Sequence, residues 1–195
     1  AVTAMMTGLA PRESGVRASG ADSTAALDDV LSAAWDGGAY VRVRAGDDAR
    51  FLALARSPAR ADARAGELRL LADMTAWSLD PPQTQTASRA VEVVVVRAGD
   101  VEQAARAHGV ASAEFREAGL HVGALLQSIA ARLDPERDVL VAASDHGQRP
   151  PYGAGGDERS VTRAFMLAWG HGVKRGVELP ARRMRDVAPT LSVLM

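Results

Sequence analysis

The 195-residue chain contains no cysteine. Without thiols there is no disulfide framework, no thiolate zinc site and no cysteine nucleophile, so any metal must be held by His, Asp or Glu. Aromatic residues make up only 4% of the chain, and the formal charge is −1 with a pI near 6.5. A nucleic-acid duplex calls for a basic footprint and a single strand for stacking platforms, and this composition offers neither. No stretch reaches the ~18 consecutive apolar residues of a membrane helix. Ala1 to Leu9 also lack the charged start of a signal peptide. A chain without cysteine suits reducing and oxidising compartments alike. What is present, 47% hydrophobic and 24% charged residues, is the profile of one globular domain long enough to bury a core.

Short β-branched runs alternate with alanine-rich amphipathic stretches, which predicts an α/β fold: a mainly parallel β-sheet sandwiched between helices. Val91 to Val96 is valine but for Glu92, the pattern of a strand covered on both faces. Val139 to Ala143 reads as its neighbour in the centre of the sheet, Ala164 to Trp169 as a third strand, and the alternating Tyr40 to Arg44 as a strand nearer an edge. Phe115, Ala118, Val122, Leu125, Leu126, Ile129 and Leu133 recur at three- and four-residue intervals. That stripe predicts a helix lying across the sheet, with His121 partly buried on it. Ser23 or Thr24 can cap a helix running through Leu27, Val30, Leu31 and Ala34 to the Gly37-Gly38 break. Residues 49–70 read as helical and 79–86 as a proline-broken connection. No repeat and no domain boundary interrupts residues 1–195, which read as a single domain.

The segment with the most chemistry runs from Val139 to Gly147, a strand that ends in Ser144-Asp145-His146-Gly147. The carboxyl end of a parallel strand is where α/β proteins place their sites. A carboxylate beside an imidazole suits a divalent transition metal, zinc above all, and glycine lets the backbone turn away without a Cβ. The competing reading is a turn in which Asp145 accepts backbone N–H groups and His146 is solvated.

Ser144-Asp145-His146-Gly147 resembles the Ser-Asp-His-Gly motif of the alkaline phosphatase superfamily, which spans phosphatases, type I phosphodiesterases, phosphoethanolamine transferases, metal-dependent phosphoglycerate mutases and sulfatases. Three further segments agree in order. Thr7-Gly8-Leu9-Ala10-Pro11 through Ser14-Gly15-Val16 is similar to the stretch that follows the family's nucleophile, with Ser14 where His is usual. Gly170-His171-Gly172-Val173 through Gly176 is similar to a loop in which Pro usually stands at the place of His171. Asp186-Val187-Ala188-Pro189-Thr190-Leu191 is similar to a late helix start, where Pro189 suits the first turn.

The resemblance implies an alkaline phosphatase-like domain, amino-terminally truncated, that binds a divalent metal, zinc by preference. Asp145 and His146 would hold the nucleophile's metal. Asp100 and His108, from the segment leading to His108-Gly109, would correspond to the second metal's motif, although Ala104 stands where its carboxylate is usual and Ala154 where a later His is usual. The nucleophile and a further metal-binding Asp would lie upstream of Ala1. Thr3 and Thr7 then serve packing or capping, and the chain alone is expected to have no catalytic residue and no useful turnover. The implied function is metal-dependent hydrolysis of small-molecule phosphate esters, nearest the phosphodiesterase branch, in an extracytoplasmic or periplasmic setting by family analogy. A sulfatase of the same fold is the near rival, and Ala104 and Ala154 make a catalytically silent binding module the alternative of a different class.

Overall fold

The computed structural model describes residues 5, 6, 8, 9, 29–37, 39–44 and 92–195. The readings at Ser23, Thr24 and Leu27, at residues 49–70 and 79–86, and over residues 10–16 lie outside these. In chain order the elements are α1 (Val30–Asp36), β1 (Tyr40–Arg44), β2 (Glu92–Val96), α2 (Asp100–His108), α3 (Ala113–Ala130), β3 (Val139–Ala143), α4 (Arg159–Thr162), β4 (Met166–Gly170), a 3-10 turn (Met184–Asp186) and α5 (Val187–Leu194). Helices and strands are interspersed along the described residues, which is compatible with an α/β chain. The chain falls into two compact units, one made of Ala1–Arg97 with Arg182–Met195 and the other of Ala98–Ala181.

In the first unit, Asp29 starts α1. Its Oδ1 accepts the Leu31 N–H at 2.8 Å and its carbonyl accepts the Ala33 N–H at 3.0 Å. Asp29 is therefore the cap of the described helix, satisfying a donor that the first turn leaves without a helical partner. Val30, Leu31 and Ala34 are buried, and α1 packs on β1 and α5. Because Asp29 is itself buried, Asp29→Ala removes the cap where water replaces it poorly. The expected cost is about 1–2 kcal/mol, read as a lowered urea midpoint, and Asp29→Asn, which keeps the acceptor, should recover most of it.

β1 and β2 run parallel, Tyr40 opposite Glu92 and Arg44 opposite Val96. Val93 to Val96 are half-buried. Gly8, at φ +73°, lies with its Cα hydrogens against the Arg185 carbonyl and the Pro189 ring, which brings the start of the chain onto the first turn of α5.

In the second unit, α2 carries Asp100 and Glu102 in its first turn and Arg106 and His108 in its last, each sign where the helix dipole favours it. Ala105 is wholly buried, and α2 packs against α3. The chain leaves α2 through Gly109, at φ +86°, a left-handed value that glycine adopts without strain. Ser112 then caps α3, its Oγ accepting the Phe115 N–H at 3.1 Å and donating to the Gly109 carbonyl at 2.8 Å. The predicted stripe faces inward, Ala118 and Ile129 buried and Phe115, Val122, Leu125, Leu126 and Leu133 half-buried. Its main described neighbour is α2 rather than a sheet. His121 is exposed, not partly buried, because it lies off the stripe.

β3 pairs antiparallel with β4, Val139 opposite Gly170 and Ala143 opposite Met166. Among the described residues β2 pairs with β1 and β3 with β4, which is the coarser α/β reading without the predicted central pair of Val91 to Val96 and Val139 to Ala143. Apolar content marks a strand but does not choose its partner. A parallel pair needs a crossover long enough to cover the sheet, and the only helix between β3 and β4 has four residues. Among the described residues no helix is long and apolar enough to cross a membrane.

Candidate functional site

Asp145 and His146 follow β3 directly. Ser144 continues the ladder by one step: its N–H donates to the Phe165 carbonyl at 3.1 Å and its Oγ accepts the Phe165 N–H at 3.0 Å. The backbone is thus held up to the residue before Asp145. Gly147 fixes it on the other side, its N–H donating to the Val161 carbonyl at 2.8 Å. A Cβ at Gly147 would fall on the Ser160 carbonyl oxygen and crowd that of Arg163, so only glycine lets the turn lie this close to α4.

Between these anchors the two candidate side chains stand together. Asp145 Oδ1 and His146 Nε2 are 3.6 Å apart, with 31% and 21% of their side-chain surfaces exposed, open enough for an ion to enter. His146 Nδ1 lies 2.8 Å from the Gly147 carbonyl oxygen. A carbonyl only accepts, so in the neutral imidazole this bond puts the proton on Nδ1 and leaves a lone pair on Nε2. The 3.6 Å separation is too long for a hydrogen bond. Yet it falls within the roughly 4.2 Å that two zinc bonds of about 2.1 Å can span. A lone pair facing a carboxylate oxygen across such a gap is an arrangement that a shared cation relieves. The donor set therefore fits a divalent metal on two sides.

The loop leaving Gly147 docks on α2. Pro151 accepts the Val110 N–H at 2.8 Å, and its carbonyl sits against Gly109. Tyr152 reaches Glu102 Oε1 at 3.5 Å, and the Arg106 guanidinium lies 5.6 Å over the Tyr152 ring while pairing with Glu102 at 3.2 Å. The Tyr152 hydroxyl and then the Glu102 carboxylate hold the Arg106 guanidinium above its ordinary pKa. Gln148 Oε1 is buried without a hydrogen-bond partner among the described residues. The Glu102-Arg106-Tyr152 cluster was not foreseen. Its helical half has a sequence signal, an acid four residues before an arginine, but Tyr152 joins it through tertiary contact alone.

The other residues predicted to bind metal are placed differently. Asp100 and His108 are exposed at opposite ends of the nine-residue helix α2. That is roughly 12 Å along the axis, too far for one ion between them. The segment would have to be a loop for the pair to converge, and it is a regular helix because its charges complement the dipole at both ends. His171 is exposed, and its N–H donates to the Asp138 carbonyl at 2.8 Å. Among the described residues no three His, Asp or Glu side chains converge as a metal site would require.

No protein-family profile matches this chain, nor does any curated protein or solved structure.

Proposed function

We propose that this chain is the metal-bearing part of an alkaline phosphatase-like hydrolase, in which Asp145 and His146 hold a divalent cation, zinc by preference, that engages a phosphate ester. The observation that carries the reading is the pair itself: at the carboxyl end of β3, Oδ1 and Nε2 stand 3.6 Å apart, and in the neutral ring the bond from Nδ1 to the Gly147 carbonyl leaves Nε2 its lone pair. A bound cation would attract a phosphoryl oxygen and stabilise charge developing on it. The approach of Gly8 to Pro189 supports the family reading from the other unit, since two of the four resembling segments meet there. The finer fold that goes with this reading is the alkaline phosphatase-like domain with its mainly parallel sheet between helices.

Two protein ligands hold zinc loosely, because tetrahedral sites use three or four. Asp145 and His146 are read as metal ligands and not as nucleophiles, so ion binding, more than turnover, reports on the reading. Calorimetric titration with zinc is expected to give weak 1:1 binding, strengthened by inorganic phosphate more than by sulfate. Preference for sulfate would turn the reading toward a sulfatase. Zinc binding no tighter than that of a His146→Ala variant would reject the metal site and leave the silent binding module.

A further inference from the structure

We propose that Gly147 is the positioning residue of this site: pinned on α4 where no Cβ fits, it holds its carbonyl against His146 Nδ1 and thereby reserves Nε2 for the ion. The inference rests on the reading of Asp145 and His146 as ligands, and it adds what makes the imidazole a ligand at all. A neutral imidazole carries its single ring proton on either nitrogen, and in water Nε2 is the favoured position. With the proton there, the edge facing Asp145 would present an N–H to the carboxylate and no lone pair to a metal. The 2.8 Å contact from Nδ1 to the Gly147 oxygen reverses that preference.

The carbonyl can do this only if the peptide does not rotate. The preceding peptide is held by the Gly147 N–H, which donates to the carbonyl of the buried Val161 at 2.8 Å, and this fixes the position from which the Gly147 carbonyl departs. The Gly147 Cα is wedged against the Ser160 and Arg163 carbonyls, both backbone atoms that cannot swing aside as a side chain could. The four-residue helix α4 thus serves as the backstop of the ligand. Metal-binding histidines commonly take their orientation from a partner on the second ring nitrogen, and losing such a partner lowers metal affinity by roughly 10–100-fold. In this chain that partner is the backbone of the next residue, so its control passes to whatever fixes the glycine.

The test is nitrogen-15 spectroscopy of the four imidazoles in the metal-free full chain at about pH 8, above the usual histidine range. His146 is assigned by loss of its signals in His146→Gln. The expected result is an Nδ1–H tautomer at His146, while the exposed His108, His121 and His171 keep the solution preference for Nε2–H. In Gly147→Ala the His146 tautomer should revert toward that preference and zinc affinity should fall about 10–100-fold. Val161→Ala, which loosens α4 but keeps every backbone partner, should shift the tautomer part of the way and covers the case in which Gly147→Ala does not fold. An Nε2–H tautomer at His146 in the wild-type chain overturns the proposal. An Nδ1–H tautomer whose Nε2 signal zinc leaves unmoved would uphold the positioning by Gly147 and overturn the metal reading, so the two failures are distinct.

Discussion

Gly170→Ala should destabilise the protein by roughly 3 kcal/mol or more, whereas Gly119→Ala, the same chemical change, should stabilise it by about 0.5–1 kcal/mol. Gly170 ends β4 at φ +114°, a region that side-chain-bearing residues avoid, and a Cβ there would fall on the Asp138 carbonyl oxygen. That oxygen also accepts the His171 N–H at 2.8 Å, and Gly170 is the register partner of Val139. Relieving the clash therefore means opening the end of the β3 and β4 pair, which adds a lost hydrogen bond to the backbone strain. Gly119 lies within α3, exposed, with open space where its Cβ would stand. Alanine there reduces the entropy of the unfolded chain and meets nothing in the folded one. Urea denaturation of both variants provides the check, and shifts of the same sign would show that the β3–β4 end is not built as described.

The second large effect concerns the ion. His146→Ala and Asp145→Ala are each expected to lower zinc affinity by at least on the order of tenfold, which is about 1.4 kcal/mol. The double variant should lose little more than either single one. Two donors 3.6 Å apart act as a chelate, and a lone imidazole or carboxylate retains the metal little better than solvent does. Such a pair is a unit, so the cycle should show strong non-additivity. Independent, additive losses measured by calorimetry would mean that the two side chains do not share an ion. Asp100→Ala and His108→Ala, at the two ends of α2, are expected to leave the affinity within about twofold, since additivity holds between sites with no shared partner.

Much of the local structure was legible in the sequence because it depends on periodicity. The stripe from Phe115 to Ile129 became the inner face of α3, whose cap, Ser112, was not foreseen. Strands appeared at Tyr40 to Arg44, at the valine run, at Val139 to Ala143 and, shifted by two residues at its start, at Met166 to Gly170. The Asp145-His146-Gly147 turn was marked by its residue types. The ligation expected of Asp100 and His108 failed on distance, since a nine-residue helix separates residues that a sequence merely spaces.

What the sequence determined by itself is what each residue carries within a turn or two of chain: hydrophobic period, caps, the absence of thiols and the adjacency of a carboxylate to an imidazole. The tertiary structure decided what depends on which segments meet. It chose the antiparallel β4 as the partner of β3, because strand pairing is set by the geometry of the connection and not by composition. It also placed a carbonyl oxygen 2.8 Å from His146 Nδ1, the contact on which the proposed tautomer rests, and left no room for a Cβ at Gly147 beside α4. A proton's position on a ring is decided by the atom facing it, and no spacing of letters along a chain records which atom that is.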